Sequence, residues 1–283
     1  MNNTINEIPE NSYFYGPYNC TMNAVGLYLL KHNISIDAIY SHNFNFSCSF
    51  DNKTISGSMS NQSLFDFVKE YYNIELKENG VDGIPTNEYF MVTVDVFYVP
   101  GNSYYNKHHS GHSMLAYLSE DGIVNINDPY LKIHEHMPLE SFLNTLVAGR
   151  PIYTFVSLPV SDRVASDKGP YILNKDYKVL YKHAEQELYR ILEGICSNLD
   201  DEFNVEAFFG GLRTLEIARE NYFRAVEAPE EYVKKIKIGW KKTLMNYIRM
   251  KKNAKYLDDI KATIQDVLED EIKYLDSLHD RSH

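Results

Sequence analysis

The stretch GHSMLAYLSEDGIVNINDP (111–129) contains two short apolar runs, His112–Leu118 and Ile123–Asn127, joined by Ser119-Glu120-Asp121-Gly122. An Asp-Gly pair between apolar runs is a strong short-range hairpin signal, so two antiparallel strands are expected here. The first strand opens on a histidine, and the second runs out at an aspartate. If Leu118 opposes Ile123, then Asp128 falls opposite Ser113, one rung from His112. A two-residue Asp-Gly turn would shift the offset by about two residues and still leave Asp128 near the start of the first strand. Side chains alternate between the faces of a strand, so a one-residue slip would turn the carboxyl group away. The sequence alone leaves that facing open.

Upstream, Gly16-Pro17-Tyr18-Asn19-Cys20 forms a turn, and Cys20 opens an apolar helical run through Leu30 that ends near His32-Asn33. The unpaired N–H groups and dipole at a helix N-terminus stabilise an anion, which lowers a thiol's pKa and populates the nucleophilic thiolate. Such a thiol still needs a base, and histidine is the side chain that titrates near neutral pH. His112 has the most suggestive surroundings of the ten histidines. Asp128, returning along the hairpin, could hold one ring nitrogen and leave the other for the thiol. Taken singly, a buried free cysteine, a hydrogen-bonded core histidine and an Asp before Pro129 are each the commoner reading. Their joint placement favours the chemical one. His108, His109 and His112 form the only dense histidine group, but no Cys pair or H-E-x-x-H motif completes a zinc site, so no metal is expected. Cys48 and Cys196 read as buried spectators.

Working outward, a second helix is expected from Ser63 to Tyr72, a β-rich run from Tyr89 to Val99, and a polar loop from Pro100 to Gly111. A short helix over Leu139–Val147 and a strand over Ile152–Leu158 follow. His134 and His136 alternate on a short extended, solvent-facing segment. The polar stretch SDRVASDKGP (161–170) marks a boundary between a first domain, 1–160, and a second, 161–283. The second shows apolar residues at three- and four-residue spacing near 183–197, 204–227, 230–250 and 256–278, the pattern of a helical bundle. Pro229 falls where a helix would begin.

At 283 residues, with 44% hydrophobic and 24% charged side chains, the chain has globular composition and length for about two domains. Three cysteines at wide spacing argue against a disulfide framework and fit a reducing cytoplasm. The terminus MNNTINEIPENS has no basic start followed by an apolar stretch, so no secretory signal is expected, and no apolar run approaches bilayer-spanning length. The net charge of −11 makes nucleic acid a poor partner. Residues 1–160 carry 7 Lys+Arg against 16 Asp+Glu, leaving 21 against 23 for the rest. The acidic first domain suits a cationic amine by steering. Lys234, Lys235, Lys237, Lys241, Lys242, Arg249, Lys251 and Lys252 form the strongest basic stretch, either a solvated helix face or a dock for an acidic carrier protein.

A Cys heading the first long helix, then a strand-borne G-H-S-M-L-A-Y and a return ending N-D-P, resembles the papain-like superfamily, which carries Cys, His and Asp or Asn in this order. More narrowly, VDVFYVPGNSYYNKHHSGHSMLAY (94–117) is similar to the amino-terminal domain of the butirosin biosynthesis protein H family. The resemblance covers about 9–160 by motif order, and the remainder by architecture alone. It implies an α+β fold: a papain-like cysteine protease fold, N-terminal helix plus antiparallel sheet, followed by an all-α helical domain. It also implies an amide-forming acyltransferase with catalytic Cys20, His112 and Asp128. That enzyme would take an acyl chain from an acyl or peptidyl carrier protein, bearing phosphopantetheine, to a small amine or diamine, with no further cofactor. Papain-like peptidases usually place a Gln six residues before the nucleophile as oxyanion donor, and here Phe14 stands there. Asn11 or Asn19 could supply a side-chain amide instead. A bacteriocin-processing peptidase and a catalytically inactive scaffold are the alternatives.

Overall fold

The structure is a computed structural model, and it describes residues 20–42, 47–49, 54–56, 60–128, 131, 133–159, 177–197 and 202–281. In chain order its elements are α1 (Cys20–Lys31), α2 (Asp37–His42), β1 (Ser47–Ser49), β2 (Thr54–Ser56), α3 (Asn61–Tyr72), β3 (Ile74–Asn79), β4 (Tyr89–Asp95) and β5 (Gly111–Leu118). There follow β6 (Ile123–Asp128), β7 (Ile133–Pro138), α4 (Leu139–Leu143), β8 (Ile152–Ser157) and four long helices, α5 (Tyr177–Ser197), α6 (Glu202–Ala225), α7 (Glu230–Lys252) and α8 (Leu257–Arg281). The fold is α+β. A six-stranded sheet has the order β3-β8-β4-β5-β6-β7, with every pairing antiparallel.

The chain divides into two units, one of residues 1–39 and 60–167, the other of 40–59 and 168–283. The sequence reading drew a single boundary at 160/161; in the structure residues 40–59, with the small β1-β2 hairpin, group with the helices. In that unit β1 packs on α5 and β2 on α6. At α6 a Cβ on Gly211 would lie 2.9 Å from the Ile55 Cβ, so the close approach of β2 requires glycine in mid-helix despite its helix penalty. Leu188, Leu192, Leu212, Leu215, Trp240 and Ile264 form the centre of the helical core.

In the sheet unit, the register of the β5-β6 hairpin is the feature that matters for the site. Gly122 N–H donates to the Ser119 carbonyl at 3.1 Å and Ser119 N–H to the Ile123 carbonyl at 3.0 Å, so three residues, Glu120-Asp121-Gly122, make the turn. Gly122 has φ +76°, the left-handed residue that closes a three-residue hairpin loop. Leu118 therefore opposes Val124, Tyr117 opposes Asn125, and Ala116 opposes Ile126. This is one residue away from the alignment of Leu118 with Ile123. Because the side-chain period is two, the shift puts Asp128 on the face of His112, Met114 and Ala116 rather than that of Ser113. His112, Met114, Ala116 and Leu118 on β5 and Val124, Ile126 and Asp128 on β6 are all buried.

α1 lies across the opposite face, where Tyr28 stacks on Phe155 and Thr21 reaches Ser113. α3 is capped by Ser60, whose Oγ accepts from Ser63 N–H, and ends on Asn73 in the left-handed region. The strand expected over Tyr89–Val99 stops at Asp95, because the Asp95 carboxyl accepts from the Phe97 and Ser110 N–H groups and turns the chain. The helix expected over Leu139–Val147 stops at Leu143, because Thr145 and Val147 bond to β4 at Asp95 and Thr93. The segment of His134 and His136 is β7, a paired edge strand.

Candidate active site

Cys20 is the first residue of α1, and no acidic side chain occupies that helix's first turn. The helix dipole and free N–H groups therefore face the thiol without a competing negative charge. The side chain is only partly exposed. It is hydrogen-bonded to the His112 side chain and to the backbone N–H and hydroxyl of Ser113. The Ser113 hydroxyl is itself placed by Thr21 Oγ1 and Thr93 Oγ1, each at 3.3 Å.

His112 Nε2 meets Asp128 Oδ2 at 2.6 Å. With Nε2 so engaged, Nδ1 is the ring atom left for Cys20. The second carboxyl oxygen of Asp128, Oδ1, accepts from Leu131 N–H at 2.8 Å. Asp128 is thus held at both oxygens and is 2% exposed, while His112 is 8% exposed. A ring fixed this way cannot rotate out of line with the thiol.

The titrations of the two groups cross. Burial pushes the Cys20 thiol up, but the hydrogen bonds from His112 and Ser113 and the positive charge of His112 outweigh it and hold the thiol at about 7, below its ordinary 9.0. Burial pushes His112 down, yet the bonds to Asp128 and Cys20 outweigh it and raise the imidazole to about 9 from 6.5. Between about pH 7 and 9 the favoured pair is therefore a thiolate facing an imidazolium, with Nε2–H donating to Asp128. This gives one group able to attack an electrophilic carbon and a second able to give and take a proton beside it.

The structure thus brings Cys20, His112 and Asp128 together from α1, β5 and β6. Asn11 and Asn19, the candidate oxyanion donors, lie outside the described residues, as does Phe14. The other histidines diverge: His109 pairs with Asp95 at 2.7 Å and stacks on Phe97, and His108 sits edge-on to Tyr104. Among the described residues no group of three His, Cys, Asp or Glu side chains could hold a metal ion. Burial raises the Cys196 thiol, the reverse of Cys20, and Cys48 lies on β1, its side chain outside the description. On α7, Lys235 and Lys237 pair with Asp270 and Glu220 of neighbouring helices at 2.8 and 2.7 Å, while Lys234, Lys241, Lys242, Arg249 and Lys252 of the basic stretch are exposed. No described helix is long and apolar enough to cross a membrane.

Sequence reasoning missed Ser113 and Asn23. Ser113 was legible as the one serine of β5, directly after the histidine. Asn23 lies one turn beyond Cys20, is 4% exposed, and its Nδ2 has no hydrogen-bond partner among the described residues. No protein-family model and no curated protein matches the chain.

Proposed function

We propose that this chain is a cysteine-dependent acyltransferase with a papain-like first domain, forming amides from thioester-bound acyl groups. The observation that carries the reading is the thiolate–imidazolium pair at the head of α1, with its histidine anchored by Asp128. Helix-borne Cys, then His and Asp on two adjacent antiparallel strands, is the order that the papain-like superfamily uses, and the motif similarity to the butirosin biosynthesis protein H family points to transfer rather than proteolysis.

In this reading the Cys20 thiolate attacks the acyl thioester carbonyl. The carbon–sulfur bond to the donor breaks, and the departing thiolate takes the proton of the His112 imidazolium, leaving an acyl-Cys20 and a neutral His112. An uncharged amine then attacks the acyl carbon, His112 takes the amine proton, and the bond to Cys20 breaks. Amide is released with thiolate and imidazolium restored. Thioester exchange is near balance and amide formation is downhill, so no ATP enters. The backbone N–H of Cys20 and the amide of Asn23 serve as oxyanion donors. Helical side chains point back toward the helix N-terminus, which aims Asn23 at the turn of Cys20. The donor is a carrier protein with a phosphopantetheine arm, and the acceptor is a small amine or diamine of antibiotic biosynthesis. The site must hold that amine in attack geometry, because water competes at far higher concentration.

Mass spectrometry of the full chain with an acyl-pantetheine thioester, with and without a diamine, tests this. An acyl adduct on Cys20 that converts to amide when diamine is added supports the transferase. Free acid at the same rate with or without amine replaces it with a hydrolase. Absence of any adduct at Cys20 removes the enzymatic reading and leaves a binding scaffold.

A further inference from the structure

A second, separate feature of the sheet unit lies toward the other end of α1. Tyr89 on β4 opposes Tyr117 on β5, and the β4-β8 register of Phe90 with Thr154 and Met91 with Tyr153 continues to place Phe155 opposite Tyr89. Three aromatic side chains therefore form a row across three adjacent strands, on the face that α1 covers. From α1, Tyr28 stacks on Phe155 with ring centroids 3.7 Å apart, and His32 lies 6.1 Å from Tyr89. Tyr89 and Tyr117 are 5.1 Å apart. These rings enclose part of a cavity of about 580 Å³, within the size range of small-molecule sites. At 1.5 Å rise per residue, Tyr28 lies about 12 Å along the helix from Cys20, so this cavity is distinct from the thiol centre.

The ring faces and one carboxylate give the cavity a lining that favours a cation. Ring faces carry the negative part of the aromatic quadrupole and attract cations. Glu88, at the start of β4, lines the same cavity and adds a carboxylate. Its influence reaches Tyr28, whose hydroxyl is pushed up first by burial and then by the Glu88 charge. The C-terminal, negative end of the α1 dipole lies at His32. An anion would meet Glu88 and the ring faces unfavourably. His32 is the one lining group able to carry positive charge, and it lies at the exposed end of the helix.

We infer that the cavity between the C-terminal end of α1 and the Phe155–Tyr89–Tyr117 row is a binding site for a small alkylammonium cation, held by the aromatic faces and by Glu88. The site does not depend on acyl transfer at Cys20.

Calorimetric titration of the full chain with choline, against its uncharged carbon isostere 3,3-dimethyl-1-butanol, tests this directly. The expected result is saturable choline binding about ten-fold tighter than the isostere. Glu88→Gln, a change at an exposed residue, weakens choline several-fold and leaves the isostere unaffected. Tyr89→Leu, checked for native circular dichroism, weakens choline by a similar or larger factor. Cys20→Ser binds choline as the unaltered chain does, which separates this site from the acyltransferase proposal. Absence of choline binding, equal affinity for the isostere, an unchanged Glu88→Gln titration, or loss of binding in Cys20→Ser would each overturn the inference.

Discussion

The two units each bury a constellation of ionisable groups, and the contrast between them shows what makes one a candidate for chemistry. In the helical unit, Glu271 on α8 accepts from Tyr181 Oη at 2.5 Å, Arg219 Nε at 3.0 Å and Trp240 Nε1 at 2.6 Å, so all four long helices supply one member. Glu271 and Arg219 are both wholly inaccessible. Burial pushes the Glu271 carboxyl up, and its partners offset this only in part. In the sheet unit, Cys20, His112 and Asp128 come from one helix and two strands, and Cys20 keeps a route to solvent. The Glu271 cluster has no nucleophile and commits its carboxylate oxygens to interhelical bonds. It specifies how four helices pack. The Cys20 group holds a nucleophile with its pKa depressed and its proton partner in place. Burial alone does not mark a candidate site; burial that leaves a reactive atom both charged and reachable does.

The contrast predicts that mutations in the two places fail differently. If the proposed acyl transfer is the activity, Cys20→Ser lowers it at least about a thousand-fold, as loss of a nucleophile does, with an unchanged urea unfolding curve. A loss under ten-fold in a single-turnover assay would break the comparison. Glu271→Ala should do the reverse, costing about 3–5 kcal/mol by removing the buried carboxylate that Arg219, Tyr181 and Trp240 bond. The Cys20 titration midpoint, read by alkylation rate, should stay at about 7.

Smaller effects sharpen the account of the thiol. Alkylation of Cys20 by iodoacetamide should rise with pH through about 7, because a lowered thiol pKa means that the thiolate is present above that value. Acylation of Cys20 by a thioester should rise through about 7 and fall through about 9, because the raised His112 pKa means that the imidazolium that protonates the leaving thiolate is lost above 9. In His112→Gln the main opposition to burial is gone, so the alkylation midpoint should climb to 9 or beyond. At pH 7 the thiolate population then falls about fifty-fold, but a more basic thiolate is about eight-fold more nucleophilic, so alkylation slows only about six-fold. The midpoint, rather than the rate, is the measurement to make. Gly122→Ala should cost about 1–2 kcal/mol from its left-handed backbone, seen as a lower urea midpoint, with the Cys20 titration unmoved while the hairpin register holds.

Much of the site was legible because its parts sit at sequence boundaries with their own signals. Cys20 heads an apolar helix after a Gly-Pro turn, and His112 and Asp128 flank a hairpin with an Asp-Gly turn. The facing of Asp128 was not legible. It depends on whether the turn holds two, three or four residues, and Ser119-Glu120-Asp121-Gly122 permits more than one of these. Strand β3 escaped notice, and β7 was legible only as a short extended segment around His134 and His136, because edge strands carry charge, as IELKEN and IHEHMP do, which blurs the alternation that marks a half-buried strand. The β1-β2 hairpin is too short to carry a pattern at all.

Arg219 and Glu271 show the other limit. Each reads as one more solvated charge on an amphipathic helix, and a separation of fifty-two positions hides that they meet. The amino-acid order alone determined the α+β division, the helix that begins at Cys20, and the hairpin that carries a histidine out and an aspartate back. These follow from local periodicity and turn chemistry. Only the tertiary structure decided that Asp128 shares the face of His112, that Ser113 reaches the sulfur, and that four helices converge on one buried glutamate. Those relations are contacts between distant segments, set by strand register and helix packing.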